Sequence, residues 1–531
     1  MEDNAVEVNP LYLTDDFCKN FRETIAGSTP ASKPFPHWSL ENFISNEEFV
    51  RSLRKELKEL KWKRKENDLY SITQTDDLAN VTDNKYRNVI KYREFVKDTM
   101  RNWLMRASGI SLNQQVDLTG SSYKYTDVLL PHDDQLEKRK FAFVLYLCDE
   151  SWKEQHGGQL KLYRCDDSDN PLSVHREIYP KFNMMNIFEV SKRSWHMVSE
   201  VVTKGVDRLS INGWFHADDV PTILPLNAVR REVALPHMDI TLQLDEVTEW
   251  INPSYILPAE QEALRANFEE ESQICLTRFI RREKHDQLMS ALAACQFHKE
   301  GPPSKREVWY LDETHVEKTS IVGSLLRLFR SRAITLLASQ WTGLKLEQLA
   351  DESTPEDKEL SGVSQIPNIK RPRLDESNFE VEEPVNSEPS KGKVSVKIKK
   401  FKQGCYTLAD DQLALESSGY ILDLQLFLSD DQWDAEAGGF MSYIAKYDRR
   451  EELRVNVEDN SLAVVYREPH VFPIMKYVND RAGKKFFYVL DCTVVDVPGD
   501  ETDLNTPNSS SSSDSSEEDS DGCNAPTSEE G

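Results

Sequence analysis

The sequence predicts an α+β protein made of two tandem barrels of one type, braced by helices. Three observations support this prediction. Apolar and polar residues alternate, as in half-buried strands, in both halves of the 531-residue chain. Segments with helical spacing of apolar residues precede or separate these strands. Part of the first half also matches part of the second without a gap when the sequence is shifted by 281 positions, which places Leu145 on Leu426.

The first elements along the chain are predicted to be helical. Residues 1–35 are polar with scattered prolines, and we expect a disordered N-terminus there. Ser45 is then predicted to cap a helix, and another helix is predicted near Tyr86–Ala107. The first of these helices carries four apolar residues at helical spacing: Phe49, Leu53, Leu57 and Leu60. Both helices should brace the back of the first barrel.

Three residues in the first half form a candidate metal site. In an extended strand alternate side chains share a face, so His132 and Asp134 would point one way and Asp133 the other. His196 would be brought in from a distant strand. Two histidines and one carboxylate on one side of a metal leave open coordination positions, an arrangement typical of non-haem Fe(II) oxygenases.

A strand beyond this site offers a partner for a carboxylate. The run from Arg208 to Phe215 alternates with period two, which predicts a strand with Arg208 and Ser210 on one face. A guanidinium pairs with a carboxylate through two hydrogen bonds, and a serine hydroxyl adds a third. The combination suits a dicarboxylate whose other end chelates the metal.

The motifs around these residues resemble those of the 2-oxoglutarate- and iron-dependent dioxygenases. Within that superfamily the chain is similar to the prolyl hydroxylase branch, and in particular to the eukaryotic prolyl 3-hydroxylases and their yeast relatives. The likeness extends from about Phe35 to Gly499. It is carried by five segments: Tyr123–Asp127, Leu129–Asp134, Phe143–Leu147, Gly157–Leu160 and Trp195–Val201.

The resemblance implies a fold, cofactors and residue roles. It implies double-stranded β-helix (jelly-roll or cupin-like) barrels, with Fe(II), 2-oxoglutarate and dioxygen as cofactors and ascorbate as a reductant. His132, Asp134 and His196 would be the iron ligands, and Arg208 and Tyr146 would hold the distal carboxylate of oxoglutarate. An alternative for Tyr146 is an ordinary core aromatic in an apolar strand. The implied substrate is a proline, hydroxylated at its 3-position, in a decoding-centre protein of the small ribosomal subunit, with effects on translation and stress responses.

The predicted domains follow from composition and pattern. The catalytic barrel is expected at 36–237. A helical bridge that belongs to the C-terminal half is expected at 238–350, with helices such as Pro258–Glu271 and Ser320–Ala338. Residues 351–391 form a predicted disordered acidic insertion. A second barrel is expected at 392–499, and its segment Lys391–Lys402 is predicted to be an edge strand protected by lysines.

The second barrel is predicted to be catalytically inactive. The shift of 281 positions puts Leu413 where the first copy has His132, and Leu415 where it has Asp134. His470 has no His-x-Asp partner and is expected to be structural or to lie at the surface.

Composition indicates which partners and which cellular location the protein is expected to have. The net charge is −26, and residues 500–531 contain ten Asp or Glu but no Lys or Arg in a Ser-rich run, which predicts a disordered acidic tail. Eight scattered cysteines without a Cys-x-x-Cys motif favour reduced thiols in the cytosol or nucleus. The basic cluster Lys370–Arg373 favours nuclear entry. No apolar run approaches the roughly eighteen residues of a membrane span.

The favoured partner is therefore a basic protein, bound by a monomeric acidic enzyme. Two other functions stay open at this stage. One is demethylation of nucleic acid by the same iron centre, although the negative charge and the lack of an aromatic-studded basic stripe argue against it. The other is an oxygen-sensing interaction scaffold in which the inactive barrel and the tail bind partners.

Overall fold

A computed structural model describes residues 6–136, 138–220, 242–344, 346, 393–409, 420–429, 432–445 and 450–497. Four of the sequence predictions lie outside these residues: Leu413 and Leu415, the insertion at 351–391 with its basic cluster Lys370–Arg373, and the acidic tail at 500–531. Among the described residues, no helix is both long enough and apolar enough to cross a membrane.

The first half begins with helices that pack on one side of a sheet. They are α1 (Asp15–Ile25), α2 (Glu47–Lys58), α3 (Arg87–Phe95) and α4 (Arg101–Ser108), and a π-helical turn at Val96–Met100 joins the last two. The prediction of disorder over 1–35 is wrong for its described part. There Phe21 is fully buried and stacks on Trp38 with ring centroids 3.6 Å apart, so α1 belongs to the core.

The helix that Ser45 was predicted to cap is instead capped one residue later. Asn46 is the N-cap, because its side chain accepts a hydrogen bond from the backbone N–H of Phe49 at 3.0 Å. Phe49, Leu53 and Leu57 are buried as the spacing predicted. α2 therefore braces the barrel through its apolar face.

Eleven strands form the sheet of the first half. They are β1 (His37–Leu40), β2 (Trp62–Glu66), β3 (Tyr70–Asp77), β4 (Val116–Tyr123), β5 (Val128–His132), β6 (Arg139–Tyr146), β7 (Leu160–Cys165), β8 (Pro171–Ile178), β9 (Met185–Glu189), β10 (His196–Val198) and β11 (Arg208–His216). Their order is β1-β9-β6-β11-β4-β3-β5-β10-β7-β8, with β2 paired to β3 and all pairings antiparallel. The sheet curls into the nearly closed barrel of a double-stranded β-helix.

Strand alternation places the core and the cavity on opposite faces of this sheet. On β11, Leu209, Ile211 and Phe215 belong to the hydrophobic cluster shared with the helices. Arg208 and Trp214, on the alternate positions, line the interior of the barrel. The strand and the face predicted for Arg208 from the sequence are thus as observed.

Within its described residues, the second half contains five α-helices and eleven strands. The helices are α5 (Leu244–Thr248), α6 (Pro258–Glu271), α7 (Arg282–Ala294), α8 (Ile321–Phe329) and α9 (Arg332–Thr342). The strands are β12 (Gln273–Thr277), β13 (Phe297–Glu300), β14 (Arg306–Leu311), β15 (Lys393–Lys402), β16 (Tyr406–Thr407), β17 (Tyr420–Ser429), β18 (Met441–Ala445), β19 (Glu451–Val455), β20 (Ser461–Arg467), β21 (Val471–Met475) and β22 (Phe486–Val497). One sheet has the order β12-β20-β17-β22-β15-β14-β13, with β16 paired to β14, and a three-stranded sheet has the order β19-β18-β21.

Three predictions for this half need correction. The segment predicted to be a helical bridge of the C-terminal half is not purely helical, because it includes β12, β13 and β14, which join the large sheet of that half. The helix predicted over Ser320–Ala338 is two helices, because the first ends at Phe329 and Ser331 caps the next. β15 is not an edge strand, since it pairs with β22 along its length and with β14 at Lys399 and Lys400.

The two halves have matching strand registers. In the first half, β11 pairs with β6 so that Ser210 lies opposite Tyr146. In the second half, β22 pairs with β17 so that Val489 lies opposite Phe427. Tyr146 and Phe427 are 281 positions apart, the same shift that aligns the two sequences.

The two Gly-Gly pairs also have the same surroundings. A Cβ on Gly157 would overlap the carbonyl oxygen of Glu200, and a Cβ on Gly438 would overlap that of Tyr477. All four glycines have positive φ, between 70° and 77°, which other residues rarely adopt. Each pair is therefore required by a close backbone approach as well as by its conformation.

Candidate active site

The structure brings the three predicted metal ligands together. His196 on β10 pairs directly with His132 at the end of β5. One Asp134 oxygen lies 3.6 Å from His132 Nε2 and the other lies 3.5 Å from His196 Nε2. One ligand atom from each residue falls within 4.8 Å of the others, a spacing suited to a single metal ion.

Asp134 reaches the site by a different route from the one predicted. β5 ends at His132, and Asp134 has a φ of 64°, in the left-handed region that Asp tolerates better than most residues. A turn after the strand, rather than strand alternation, directs its carboxylate toward the histidines. The indole N–H of Trp214 then donates a hydrogen bond to Asp134 at 3.1 Å and orients it.

Hydrogen bonds fix the tautomer of both histidines. The Nδ1 atoms of His132 and His196 lie 2.8 Å and 2.7 Å from the carbonyl oxygens of Leu130 and Ser194. Because a carbonyl only accepts, each Nδ1 carries the proton and each Nε2 presents its lone pair to the site. The backbone thus prepares both rings to bind a metal.

The charges in the site favour a cation. Burial, followed by the nearby His196, lowers the pKa of His132 to about 4, so the ring is neutral at pH 7. Burial alone would raise the pKa of Asp134, but the two neighbouring histidines and the hydrogen bond from Trp214 bring it well below its ordinary value. One carboxylate and two imidazoles suit a divalent ion that needs no thiolate ligand.

Arg208 lies fully buried at the start of β11 with part of its guanidinium unsatisfied. Its Nε donates to the carbonyl of Gly158 at 2.7 Å, and its Cζ lies 4.9 Å from the ring centres of both Tyr123 and Tyr146. Its Nη2 has no hydrogen-bond partner among the described residues. A buried guanidinium with a free N–H fits the carboxylate of a small acid, which would supply the missing acceptor.

Tyr146 contacts Arg208 without lining the cavity. It is fully buried, and its hydroxyl accepts a hydrogen bond from Asn186 Nδ2 at 2.9 Å. Tyr123, which sequence reasoning did not single out as a site residue, does line the cavity and is paired opposite Arg208. No sequence signal gives that register, because it depends on how β4 aligns with β11.

A cavity of about 490 Å³ connects the metal-site residues to Arg208. Trp214 and Asn212 line it from the same face of β11 as Arg208, so strand alternation could have identified them. Tyr70 and Leu129 are among its apolar lining residues. The cavity therefore joins a polar interior to an apolar surface within one barrel.

Comparison with known proteins agrees with this geometry. Residues 118–216 match the 2OG-Fe(II) oxygenase superfamily, and residues 242–501 match the family described as oxoglutarate and iron-dependent oxygenase degradation C-term. The chain is 37% identical over 456 residues to prolyl 3-hydroxylase OGFOD1 of Xenopus laevis, covering 86% of this chain and 85% of that protein. It is 35% identical over 479 residues to prolyl 3-hydroxylase OGFOD1 of Mus musculus, covering 85% of each. A solved prolyl-4-hydroxylase of Pseudomonas putida is 18% identical, with a TM-score of 0.28, covering 34% of this chain and 91% of that one.

The chain belongs to the OGFOD1 family of prolyl 3-hydroxylases. It is therefore a 2-oxoglutarate-dependent dioxygenase, and the family implies Fe(II), 2-oxoglutarate and dioxygen as its cofactors. The residues present fit these groups, since the preset Nε2 atoms suit iron and the unpaired Nη2 of Arg208 suits oxoglutarate. The family predicted from the sequence is confirmed, and Fe(II), 2-oxoglutarate and dioxygen are the predicted cofactors that this family implies.

Proposed function

We propose that the first barrel hydroxylates a proline of a protein substrate, with His132, Asp134 and His196 as iron ligands. The observation that carries this proposal is the convergence of three preset ligand atoms beside a buried, partly unpaired Arg208. The bound iron and oxoglutarate would supply oxidation of a C–H bond by dioxygen, with decarboxylation of oxoglutarate to succinate. The relatives named prolyl 3-hydroxylase support the 3-position.

The protein's own residues would bind and orient the reactants. Arg208 would pair with the distal carboxylate of oxoglutarate through its free Nη2, and Tyr123 and Tyr146 would hold the guanidinium in place between their rings. Trp214 would keep Asp134 aimed at the metal. Tyr70, with the other apolar lining residues, would shield the reacting centre from water and contact the proline ring.

The proposed substrate is a basic protein of the small ribosomal subunit. A chain with a net charge of −26 attracts a basic partner and raises the encounter rate. We further propose ascorbate as the reductant, a monomeric enzyme, location in both cytoplasm and nucleus, and roles in translation and stress responses. These proposals rest on the sequence resemblance and composition.

The second barrel is proposed to be a copy without a metal or oxoglutarate site. Where the first half pairs His196 with Leu162, the second pairs Pro473 with Tyr443, so a residue without a ligand atom takes the place of the histidine. His470 nearby is exposed and paired with Glu468 at 2.8 Å. Its position is compatible with the surface role predicted for it.

The place of the oxoglutarate anchor supports the same proposal. Arg208 lies two residues before Ser210 on β11, and Phe487 lies two residues before the partner of Phe427 on β22. A Cβ on Gly158 would lie 2.8 Å from Arg208 Cδ, and a Cβ on Gly439 would lie 3.0 Å from Phe487 Cε1. A phenylalanine thus fills the space that the guanidinium occupies in the first half.

The proposed activity is tested by succinate production with defined substrates. A basic peptide carrying the target proline of the small-subunit protein should drive oxoglutarate turnover and gain one oxygen atom. The same peptide with alanine at that proline is the matched control and should not. If a methylated oligonucleotide drives oxoglutarate turnover and the peptide does not, the protein is a nucleic-acid demethylase and the proposed prolyl hydroxylation is wrong.

A further inference from the structure

The second half of the chain docks against the segment that supports Arg208. The Tyr477 hydroxyl lies 3.3 Å from one carboxylate oxygen of Glu200, and the backbone N–H of Asp480 donates to the other at 2.6 Å. The Tyr125 hydroxyl contacts the Asp480 carboxylate at 3.1 Å. Glu200 itself is 5% exposed, so its carboxylate is enclosed by the second half.

Two further hydrogen bonds connect Glu200 to the proposed oxoglutarate anchor. The backbone carbonyl of Glu200 accepts from the N–H of Gly158 at 3.1 Å. The carbonyl of Gly158 then accepts from Arg208 Nε at 2.7 Å. The Gly158 peptide is thus fixed on one side by Glu200 and fixes the guanidinium on the other.

The geometry leaves this arrangement little freedom. Gly158 lies against Arg208, because a Cβ on it would be only 2.8 Å from Arg208 Cδ. The N–H of Val202 donates to the carbonyl of His156 at 3.0 Å, and the N–H of Val201 donates to that of Asp127 at 3.1 Å. A displacement of the Glu200 backbone would therefore move the Gly158 carbonyl that orients Arg208.

We infer that Glu200 is a positioning residue for the oxoglutarate anchor, and that Tyr477 and Asp480 of the second half hold it in place. This inference rests on the proposed role of Arg208. It assigns the second barrel a part in catalysis, since the hydrogen bonds to the Glu200 carboxylate among the described residues come from the second half. The second half acts on cofactor affinity without contributing a ligand to it.

The test compares oxoglutarate affinity among variants of the full chain. Calorimetry with Mn(II) in place of iron, without oxygen, gives the Kd of oxoglutarate, and a titration without oxoglutarate gives the Kd of Mn(II). In Glu200→Ala we expect the oxoglutarate Kd to rise about tenfold, the scale of losing a supporting partner, with the Mn(II) Kd unchanged. Glu200→Gln keeps acceptor and shape and should stay near wild type. Tyr477→Phe should raise the Kd less, in the same direction.

A matched control separates positioning from general loosening of the interface. Lys476 pairs with Glu66 across the same interface at 3.3 Å, and the structure gives it no hydrogen bond to Glu200 or Gly158. Lys476→Met should leave the oxoglutarate Kd unchanged. An equal rise in Lys476→Met and Glu200→Ala, or no rise in Glu200→Ala and Tyr477→Phe with thermal unfolding intact, would overturn the inference.

Arg208→Ala is the positive control, because it removes the proposed oxoglutarate anchor itself. If it leaves the oxoglutarate Kd unchanged, the proposed anchor fails rather than the positioning role. If Arg208→Ala weakens binding while Glu200→Ala and Tyr477→Phe do not, only the positioning role fails.

Discussion

The two halves of the chain differ in the residue that lies against the second glycine of each Gly-Gly pair. At the start of β11 a buried arginine lies against Gly158, and at the start of β22 a buried phenylalanine lies against Gly439. A buried guanidinium with an unpaired N–H is costly, whereas Phe487 packs at 4.7 Å on Trp433 and stabilises its core. The costly residue occurs in the half whose cavity reaches three metal-ligand atoms.

This contrast shows how a site can be recognised when two halves of a chain have Gly-Gly pairs in the same surroundings. The glycines, the strand registers and the buried aromatic residues are common to both halves and serve packing. The residues that packing alone does not explain are His132, Asp134, His196 and Arg208. The comparison therefore predicts that changes at matching positions damage activity in one half and stability in the other.

The largest effect is expected at the metal ligands. His132→Ala or Asp134→Ala removes one of three ligand atoms, so we expect loss of Fe(II) binding and of succinate production with little change in thermal unfolding. Equilibrium dialysis with iron measures the first and an oxoglutarate turnover assay the second. Asp133→Ala is the control and should cost much less, because the Asp133 carboxylate accepts from the Gln135 N–H rather than joining the ligand group.

The stoichiometry of metal tests the other half of the comparison. Wild type should bind one Fe(II) and one oxoglutarate per chain, and the ligand variants none. Two equivalents of iron in wild type, with one retained in His132→Ala, would mean that the second barrel also holds a metal.

The next largest effects are expected at Arg208 and Phe487, where the same substitution should change oxoglutarate binding in one case and stability in the other. Arg208→Ala should weaken oxoglutarate binding by about 2–3 kcal/mol, the scale of hydrogen bonds to a charged group. Phe487→Ala should lower the free energy of unfolding by about 3–5 kcal/mol through a core cavity and leave oxoglutarate binding unchanged. Calorimetry and denaturant unfolding measure the two quantities. If Phe487→Ala also weakened oxoglutarate binding without unfolding the protein, the oxoglutarate site would depend on the core of the second half, contrary to this prediction.

The sequence predicted which residues form the site better than it predicted the turns and strand pairings that position them. His132, Asp134 and His196 come together as predicted, although Asp134 reaches the site through a turn after β5 and not by the strand alternation that predicted it. The turn that aims Asp134 and the pairing of Tyr123 with Arg208 depend on chain geometry between distant elements. Periodicity within one segment does not report such registers.

The same dependence on distant elements explains why some predictions of the fold were wrong. Residues 1–35 are polar on average, yet α1 buries Cys18 and Phe21, and Phe21 stacks on Trp38. The helical bridge contains strands whose partners lie more than eighty residues further along the chain, such as β14 with β15. Neither feature can be predicted from local composition, because each depends on a tertiary partner.

A smaller effect is expected at the paired glycines. Gly158→Ala and Gly439→Ala both place a Cβ on a residue with φ near 70°, so each should cost about 1–3 kcal/mol of stability. Only Gly158→Ala should also raise the oxoglutarate Kd, since its Cβ would displace Arg208. Equal oxoglutarate affinity in the two variants would show that the Arg208 position tolerates the change.

The smallest effect is a dependence of stability on pH that comes from Glu200. Tyr477, whose carbonyl lies beside Gly438 as that of Glu200 lies beside Gly157, should contribute no such dependence near neutral pH. Burial first, then the charge of Asp480, raises the pKa of Glu200 to about 7, although hydrogen bonds from Asp480 N–H and Tyr477 oppose this shift. In the unfolded chain a glutamate titrates near pH 4.3. A raised pKa means that the folded chain holds its proton more tightly than the unfolded chain. This stabilisation is fully present below about pH 4.3 and is lost as the pH rises through about 7.

Glu200→Gln removes this titration and keeps the shape of the contact. Between pH 6 and 7 wild type should therefore lose roughly 1 kcal/mol of stability relative to Glu200→Gln. Denaturant unfolding of both proteins at each pH measures the difference, and titrations elsewhere cancel because they are common to both. Parallel curves would mean that Glu200 is already ionised in the folded chain at pH 6. In that case the carboxylate is held charged by Asp480 N–H and Tyr477, and the contact between the two halves is no weaker at neutral than at acidic pH.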